Sequence, residues 1–501
     1  MTSQPPTAAP AAAEAATEMT RTRPRHARYD LVIIGGGSAG LPAAELAAVL
    51  GARVALVDRE TLGGECLYTG CVPSKALLHV ARVAWQARTA DRLGLAATLA
   101  PVDLGAVADQ VARVVGRVGT RDTPERFEAR GIEVLFGAAR FTGPRTLVVN
   151  GHAITARAFL VCTGSHAATP ELAGLAGVPY HTNDTIFGLR ALPATLTIVG
   201  GGPVGVELGQ AFARLGARVT IVQRAPRLLP REEPEASSVI ERRLAAEGVT
   251  LLLGATAQGV AQREGAVIVS ARGADGAALE VAGEQLLIAT GRAANVAGLG
   301  LEAAGIAFTP QRGIQVDARR RTSNRHIYAA GDVTGPPYFT HAAAQQALAA
   351  VRAAVTPFGR DLDTRALAWA IFTEPEVARV GLTEAEARAR HGASVRTYAL
   401  PFSAVDRADT DEVGDGFVKL VATGRGALVG AQLVGAHAGE YINELALALR
   451  QQLDLGQLAA TTHVYPTMAL AIQQAAARYS YGKLVRGALP GVLRAYRRLA
   501  R

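Results

Sequence analysis

The sequence predicts an α/β protein with two Rossmann-like dinucleotide-binding domains. The first observation is an internal repeat: Leu31–Asp58 (LVIIGGGSAGLPAAELAAVLGARVALVD) recurs as Leu196–Gln223 (LTIVGGGPVGVELGQAFARLGARVTIVQ), offset by 165 positions without a gap. The second is the content of each copy: an apolar strand, a G-x-G-x-x-G turn, an Ala/Leu-rich helix and a second apolar strand. A single glycine motif is weak evidence, but two in this full context indicate two dinucleotide sites.

The glycines of each repeat have the spacing that a pyrophosphate-binding turn requires. They permit a tight turn and let the pyrophosphate approach the backbone at the helix N-terminus. These candidate nucleotide-binding residues are Gly35, Gly37 and Gly40 in the first copy and Gly200, Gly202 and Gly205 in the second.

The two copies end in different residues, which predicts different nucleotides. Asp58 closes the first copy and can accept hydrogen bonds from a free ribose, as in FAD. Gln223 closes the second and is followed by Arg224, with Arg227 close by. A missing carboxylate and a nearby arginine favour the 2′-phosphate of NADPH over NADH, unless Arg224 merely faces solvent.

The segment CLYTGC, Cys66 to Cys71, is the strongest chemical signal in the chain. The sequence holds only 3 cysteines, and two of them lie in this segment. Lysine is equally rare among the 52 basic residues, yet Lys75 follows four positions after Cys71. Pro73 favours the first turn of a helix, where the helix dipole lowers a thiol's pKa. A redox-active pair is therefore predicted.

The alternatives are a stapling disulfide, two inert thiols or a metal site. A six-residue ring gives little stabilisation by loop closure. A closed zinc site needs a second Cys/His pair, so no metal site is predicted. Cys162, in an apolar strand, is expected to be a buried core residue.

Composition and charge exclude several classes of protein. The 501 residues are 49% hydrophobic, enough for about three domains. The sequence contains no apolar run of about 18 residues, so no membrane span is predicted. Residues 1–28 have no apolar signal-peptide core and are expected to be disordered, so a cytoplasmic location is expected.

The net charge of +9 lies mainly at the chain ends. The tail, residues 482–501, carries six basic and no acidic residues, and residues 1–28 carry a further +2. The body is almost neutral, which argues against nucleic-acid binding. The basic tail is either solvated or makes weak contact with an anionic membrane.

Together these motifs resemble the class I pyridine nucleotide–disulfide oxidoreductases, which include dihydrolipoamide dehydrogenase, glutathione reductase and, as the nearest branch, mercuric reductase. The resemblance runs from about Tyr29 to Ser480. It rests on GGECLYTGCVPSK (Gly63–Lys75), CTGS (Cys162–Ser165), ATGR (Ala289–Arg292), TSNRHIYAAGD (Thr322–Asp332) and FTEPEVARVGLTE (Phe372–Glu384).

The resemblance implies a homodimer with a C-terminal α+β dimerisation domain. An FAD-binding domain would combine residues 29–170 and 298–365, interrupted by an NAD(P)-binding domain at 171–297. Residues 366–481 would form the dimerisation domain. The resemblance adds further cofactor-binding residues: Gly64, Lys75, Ala139, Thr163, Gly164, Ser165, Glu207, Gly291, Asp332, Thr340 and His341.

The resemblance also implies a path for the electrons. A hydride would pass from a nicotinamide beside Glu207 to the flavin, with Lys75 paired to Glu207. Cys71 would face the flavin and Cys66 would exchange with the substrate. A plain first-turn helix acid is the alternative for Glu207.

The C-terminal segment departs from the family pattern. Disulfide-reducing members have H-P-T-x-x-E, whereas this chain has HVYPTMAL, with Tyr465 in place of the histidine and Leu470 in place of the glutamate. A tyrosine, with an ordinary pKa near 10, is a poor base at neutral pH. His463 is a candidate substitute. Glu65 replaces the usual threonine.

A tyrosine at this position resembles the pattern of mercuric reductase. The C-terminal tail, however, lacks that enzyme's cysteine pair, and its N-terminal metal-binding domain with a Cys-x-x-Cys motif is missing as well. A dedicated mercury-detoxifying enzyme is therefore not expected. The predicted function is FAD-dependent, NAD(P)H-linked reduction of a disulfide, soft metal ion or other small electrophile. The alternatives are dihydrolipoamide oxidation by NAD and a flavin redox sensor with little turnover.

Overall fold

The computed structural model describes residues 24–26, 28–486 and 489–499. Most of the predicted extension at 1–28, and residues 487–488 and 500–501 of the basic tail, lie outside the described residues. The chain forms two compact units. The first contains the chain up to Glu171 with Tyr180–Pro193 and Leu287–Leu362, and the second contains Leu172–Pro179, Ala194–Leu286 and the chain from Asp363 onwards.

The strands alternate with helices in the first half of the chain and cluster later. They are β1 Arg28–Ile34, β2 Val54–Asp58, β3 Glu133–Phe136, β4 Ala139–Gly143, β5 Thr146–Val149, β6 His152–Val161, β7 Ser165–Ala167, β8 Thr195–Val199, β9 Arg218–Gln223, β10 Thr250–Leu253, β11 Thr256–Arg263, β12 Ala266–Arg272, β13 Ala278–Gly283, β14 Gln285–Ile288, β15 Arg292–Ala294, β16 Phe308–Thr309, β17 Gly313–Ile314, β18 Ile327–Ala329, β19 Ala368–Ile371, β20 Glu376–Gly381, β21 Arg396–Pro401, β22 Phe417–Ala422 and β23 Leu428–Gly435.

The α-helices are named by their ranges. They are Gly40–Val49, Gly64–Tyr68, Cys71–Arg88, Leu104–Gly119, Pro124–Glu128, Pro203–Leu215, Pro234–Ala246, Thr340–Val355, Glu384–His391, Asp406–Thr410, Ala438–Arg450, Leu455–Ala460, Leu470–Arg486 and Leu489–Leu499. Short 3-10 turns occur at Ala90–Leu93, Leu175–Gly177, Ile186–Gly188, Asp332–Thr334, Gly392–Ser394 and Phe402–Ala404.

The first unit is built on a seven-stranded sheet in the order β3-β2-β1-β6-β5-β4, with β18 also paired to β6. Its central pairs are parallel. Leu31 and Ile33 of β1 pack in one core cluster, and Val32 and Ile34 pack in another. Both faces of the strand are thus covered from Leu31 to Ile34, which explains why this part of its sequence is continuously apolar.

The second unit contains the other glycine repeat. Its sheet has the order β10-β9-β8-β14, and β11-β12-β13 form an antiparallel sheet. The helix Pro203–Leu215 connects β8 to β9, as Gly40–Val49 connects β1 to β2. The predicted strand–turn–helix–strand repeats are confirmed in both copies.

The C-terminal part of the second unit is an antiparallel five-stranded sheet, β19-β20-β23-β22-β21, packed with helices. With the two dinucleotide-binding sheets, it confirms the predicted fold class of two Rossmann-like domains and an α+β domain. No helix in the described ranges is both long and apolar enough to cross a membrane.

Buried charges join the two halves of the second unit. Lys419 Nζ, on β22, lies 3.1 Å from Glu233, 2.9 Å from Glu235 and 2.9 Å from Glu384. The side chains of Lys419 and Glu233 are only 6% and 3% exposed. Each buried charge is therefore stabilised by the opposite charge beside it, and removing one would leave the other unpaired.

Candidate active site

Cys66 and Cys71 lie on two consecutive helices of the first unit. Cys66 is in the helix Gly64–Tyr68, and Cys71 is the first residue of Cys71–Arg88, which confirms its predicted place at a helix N-terminus. Both are free thiols, Cys71 exposed and Cys66 partly buried. The dipole of the longer helix therefore favours negative charge at this end.

Glycine allows the cysteine-bearing segment to approach the first nucleotide-binding turn. Gly64 has φ +64°, and a Cβ there would lie 2.7 Å from the Cα of Gly37. No side chain fits between these two backbones. The predicted cofactor turn and the predicted redox segment are therefore in direct contact.

The hydroxyl of Thr340 lies within hydrogen-bond distance of both sulfurs. Its Oγ1 donates to Cys66 Sγ at 3.1 Å and lies 3.4 Å from Cys71 Sγ. Thr340 begins the helix Thr340–Val355, so this contact joins the redox segment to a distant part of the first unit. The resemblance implies that Thr340 binds the cofactor; its contact with the sulfurs is an additional finding.

A hydrogen bond between the two thiols shifts their pKa values in opposite directions. A hydrogen bond from Cys71 lowers the pKa of Cys66 to about 6, assisted by Thr340 and Ser38, although burial opposes it. The same contact raises the pKa of Cys71, and desolvation of the thiol group by neighbouring atoms adds to that effect. Lys75, one turn further along the helix, partly offsets the rise. Negative charge is therefore favoured on Cys66 over Cys71.

Glu65, the unusual residue next to Cys66, is part of a polar network. Its Oε2 pairs with the Arg292 guanidinium, and its Oε1 accepts from Asn183 Nδ2 at 2.6 Å. Arg292 Nε donates to Ser165 Oγ at 2.8 Å. Ser165 Oγ donates in turn to Asp332 Oδ2 at 2.5 Å.

Burial raises the pKa of both carboxyl groups in this network, those of Glu65 and Asp332, against the opposing charge of Arg292. Ser165 and Asp332 were both predicted as cofactor-binding residues, and the structure brings them together. The sequence did not indicate that Asn183 and Arg292 are the partners of Glu65. Arg292 is 227 positions from Glu65, and no local pattern signals such a contact.

The two glycine turns are fixed in the same way by the residues that distinguish them. Gly36 N donates to Asp58 Oδ2 at 2.6 Å, and Gly201 N donates to Gln223 Oε1 at 3.2 Å. Gln223 Nε2 also donates to the Arg227 carbonyl at 3.3 Å. An amide thus replaces the carboxylate as the acceptor for the turn, but without its negative charge. Arg224 is exposed beside it.

Lys75 and Glu207 lie in different compact units, so their pairing stays a prediction. Glu207 is 6% exposed on the helix Pro203–Leu215, and its Oε1 accepts from Phe372 N at 2.8 Å. This hydrogen bond connects it to the C-terminal part of its own unit.

The remaining predicted cofactor residues lie at the ends of strands or helices. Ala139 begins β4, Gly291 directly precedes β15, and His341 stacks on Phe339 with ring centroids 5.7 Å apart. Thr163 Oγ1 donates to the Asn295 carbonyl at 2.8 Å, and the Gly164 carbonyl accepts from Asn295 N at 3.0 Å.

Tyr465 and His463 both have carboxylate partners. Tyr465 is 66% exposed, and its hydroxyl donates to Asp406 Oδ2 at 2.8 Å, which raises the tyrosine's pKa. His463 Nε2 lies 3.0 Å from Glu444 Oε1, and Nδ1 lies 3.0 Å from the Thr461 carbonyl. Both imidazole nitrogens are therefore engaged within the same unit.

No group of three or more His, Cys, Asp or Glu residues in the described ranges is placed to hold a metal ion. Two dinucleotide turns, one of them against a dithiol, define the class of protein: an oxidoreductase that couples a nucleotide to a thiol pair. The chain matches the pyridine nucleotide-disulphide oxidoreductase family over residues 29–347 and that family's dimerisation domain over residues 367–476. It belongs to this family.

Individual relatives agree with this assignment. A mercuric reductase from Streptomyces lividans is 39% identical over 462 residues, covering 91% of this chain and 97% of the relative. A dihydrolipoyl dehydrogenase from Thermus scotoductus is 37% identical over 458 residues, covering 89% and 96%. The Cu(II) complex of the HOCl-induced flavoprotein disulfide reductase RclA from Escherichia coli has a TM-score of 0.79 and 28% identity, covering 90% and 99%.

The protein is thus a flavoprotein oxidoreductase that uses FAD and NAD(P)H and reduces its acceptor through a disulfide. This confirms the predicted class of function and both predicted cofactors. Bound FAD supplies two-electron transfer between the pyridine nucleotide and the disulfide. The chain also carries the family's dimerisation domain.

Proposed function

We propose that Cys66 and Cys71 are the redox-active pair, with Cys71 facing the flavin and Cys66 exchanging with the acceptor. The observation that carries this proposal is that the Thr340 hydroxyl lies within hydrogen-bond distance of both sulfurs, which are therefore close together. A thiol with a pKa of about 6 is mostly thiolate at neutral pH, which suits Cys66 to nucleophilic attack. Lys75 and Glu207 are proposed to pair beside the nicotinamide.

The test of the pair is anaerobic titration with NADPH. Two-electron reduction should give a long-wavelength charge-transfer band in the wild type, where the disulfide takes the two electrons and the flavin stays oxidised. Cys66→Ser should show this band before any reduction, because its unpaired Cys71 thiolate faces oxidised flavin, and Cys71→Ser should lack it. A band that survives in Cys71→Ser would contradict the assignment of the flavin-facing thiol. Two thiols that stay titratable throughout would contradict the redox pair itself.

The acceptor is proposed to be a soft metal ion, Cu(II) or Hg(II). Reduction of a disulfide needs an acid that protonates the departing thiolate. Tyr465 stands where the resemblance places that acid, and Asp406 raises its pKa, so proton donation from Tyr465 is disfavoured. A metal ion has no leaving thiolate: the dithiol transfers two electrons to Hg(II), or one to each of two Cu(II), and becomes a disulfide with loss of two protons.

Two relatives support this choice: one is a mercuric reductase, and RclA was solved as a Cu(II) complex. A panel of Cu(II), Hg(II), glutathione disulfide and lipoamide, each with NADPH, tests it. Turnover with the metal ions that exceeds turnover with both disulfides is expected. The reverse order would refute the metal acceptor.

A second candidate function is oxidation of dihydrolipoamide by NAD. The relative from Thermus scotoductus, a dihydrolipoyl dehydrogenase, favours it. This reaction also needs a base near the dithiol, and Tyr465, whose pKa is raised, stays protonated at neutral pH and so accepts a proton less readily than a histidine. Rapid NAD reduction by dihydrolipoamide would favour this function over metal reduction.

NADPH is proposed as the preferred nucleotide. Gln223 keeps the contact to the glycine turn without a negative charge that would repel a 2′-phosphate, and Arg224 is exposed beside it. The ratio of kcat/KM for NADPH and NADH should fall in Arg224→Gln. An unchanged ratio would exclude a role for this arginine.

We further propose a cytoplasmic homodimer with weak contact to anionic membranes through its basic tail. On the helix Leu489–Leu499, Val492, Leu493 and Tyr496 are 60%, 43% and 67% exposed, and the helix carries three arginines. Such a face suits an anionic lipid surface. Sedimentation with anionic vesicles, compared between the full chain and a chain ending at residue 481, tests it; equal binding would refute it.

A further inference from the structure

Glu65 connects the helix that carries Cys66 to two other parts of the first unit. One carboxylate oxygen pairs with Arg292, and the other accepts from Asn183 Nδ2 at 2.6 Å. Asn183 Nδ2 also donates to the Thr69 carbonyl at 3.2 Å. Glu65 and Thr69 lie at the two ends of the short helix Gly64–Tyr68, so one buried asparagine contacts both ends.

The network carries more negative than positive charge. Arg292 Nε lies 3.6 Å from Asp332 Oδ2, so one guanidinium serves both Asp332 and Glu65. Asp184 acts on the same guanidinium and also receives a hydrogen bond from Thr69 Oγ1 at 3.1 Å. Three carboxylates therefore surround one arginine directly beside the redox segment.

We propose that Glu65 is a positioning residue: its carboxylate ties the Cys66 helix to Arg292 and Asn183, and its charge sets the balance between dithiol and disulfide. The disulfide form of the pair is neutral, whereas the dithiol carries a thiolate. A nearby carboxylate thus destabilises only the reduced form, and a nearby guanidinium stabilises it. Glu65 holds Arg292 and offsets its charge at the same time.

This inference rests on the proposed role of Cys66 and Cys71, but its test needs no acceptor and no turnover. The holoprotein is equilibrated anaerobically with dithiothreitol, from both the oxidised and the reduced side. The protein disulfide takes two electrons and two protons from dithiothreitol, which itself becomes a cyclic disulfide. Rapid alkylation and mass spectrometry then give the reduced fraction of the protein.

Glu65→Gln keeps the length and an acceptor for Arg292 but removes the charge. At about pH 8 it should shift the exchange constant about tenfold towards the dithiol, the effect of one pKa unit on the thiolate. Arg292→Gln should shift the constant in the opposite direction. At about pH 5 the pair is mostly protonated, so both shifts should shrink to about twofold or less.

The matched control is Glu60→Gln, which removes an exposed carboxylate five positions earlier, in the loop before the helix Gly64–Tyr68. It should leave the constant unchanged. Equal constants for the wild type and Glu65→Gln at about pH 8 would overturn the proposal. Equal shifts at both pH values would also overturn it, because a purely structural defect does not depend on thiolate formation. If Glu65→Gln does not fold, the sign of the Arg292→Gln shift decides.

Loss of metal reduction with an intact dithiothreitol equilibrium would instead count against the proposed function. A chain whose two cysteines do not exchange with dithiothreitol at all would remove the basis of both. The two ideas can therefore fail separately.

Discussion

The hydroxyl of Thr340 donates to Cys66 Sγ at 3.1 Å, and its removal should make Cys66 a weaker acid. Thr340→Val keeps the shape of the side chain and deletes the donor. A hydrogen bond to a charged acceptor contributes about 1.5–3 kcal/mol. Because one pKa unit corresponds to about 1.4 kcal/mol, the pKa of Cys66 should rise by about 1–2 units.

The consequence at neutral pH follows from the starting value. With a pKa of about 6, Cys66 is about nine-tenths thiolate at pH 7. A pKa of about 7–8 leaves about one half to one tenth as thiolate. The alkylation rate of Cys66 at pH 7 should therefore fall about two- to tenfold, and the rate at high pH should change little.

The assay is iodoacetamide labelling of the reduced holoprotein across the pH range, with each cysteine quantified by mass spectrometry. Thr340→Ser retains the hydroxyl and should restore the wild-type midpoint. Thr356→Val is the matched control, because Thr356 follows the same helix at its other end and its hydroxyl donates to the Arg352 carbonyl. An unchanged midpoint in Thr340→Val would refute the assignment of this hydrogen bond.

Three further changes have defined outcomes. Lys419→Met leaves the carboxylate of Glu233 buried without its cation and should lower the free energy of unfolding by about 3–5 kcal/mol in urea titrations. Tyr465→His supplies a general acid and should raise NADPH-dependent reduction of glutathione disulfide about tenfold or more. Gly64→Ala places a Cβ 2.7 Å from the Cα of Gly37 and should reduce the flavin content of the purified protein, measured by absorbance.

Each of these changes has its own control. Adding Glu233→Gln to Lys419→Met should recover part of the lost stability, and no recovery would contradict the pairing. Tyr465→Phe should not raise disulfide reduction. Gly116→Ala, where a Cβ has no neighbour within 4 Å, should keep its full flavin content. A Gly64→Ala protein with full flavin content would mean that the backbones at Gly64 and Gly37 can separate without loss of flavin binding.

Local sequence patterns predicted the backbone of both sites well. The repeats, their glycine turns and the helix that begins at Cys71 follow from residues close together in the chain. Such patterns record φ angles, capping and apolar periodicity, which act over a few residues. The contrast between Asp58 and Gln223 was also visible, since each lies at the end of the strand after its glycine turn.

Contacts between distant segments could not be predicted in this way. Thr340 is 274 positions from Cys66, and Asn183 is 118 positions from Glu65. The order of strands in the sheet and the discontinuous first unit bring these residues together, and neither leaves a periodic trace in the sequence. For this reason the substitution at Glu65 was visible but its partners were not.

The buried cluster around Lys419 determines how this enzyme's nucleotide preference could be exchanged between relatives. The acidic residues Glu232 and Glu233 lie on the nucleotide-binding segment, whereas their cations, Arg379 and Lys419, lie on the C-terminal segment. A graft of residues 194–286 alone would separate the carboxylates of Glu232 and Glu233 from the cations that pair with them in this chain. A chimera that also transfers the chain from Asp363 onwards keeps each carboxylate with its cation. The part of the chain that must be exchanged to change the coenzyme therefore consists of two separate segments.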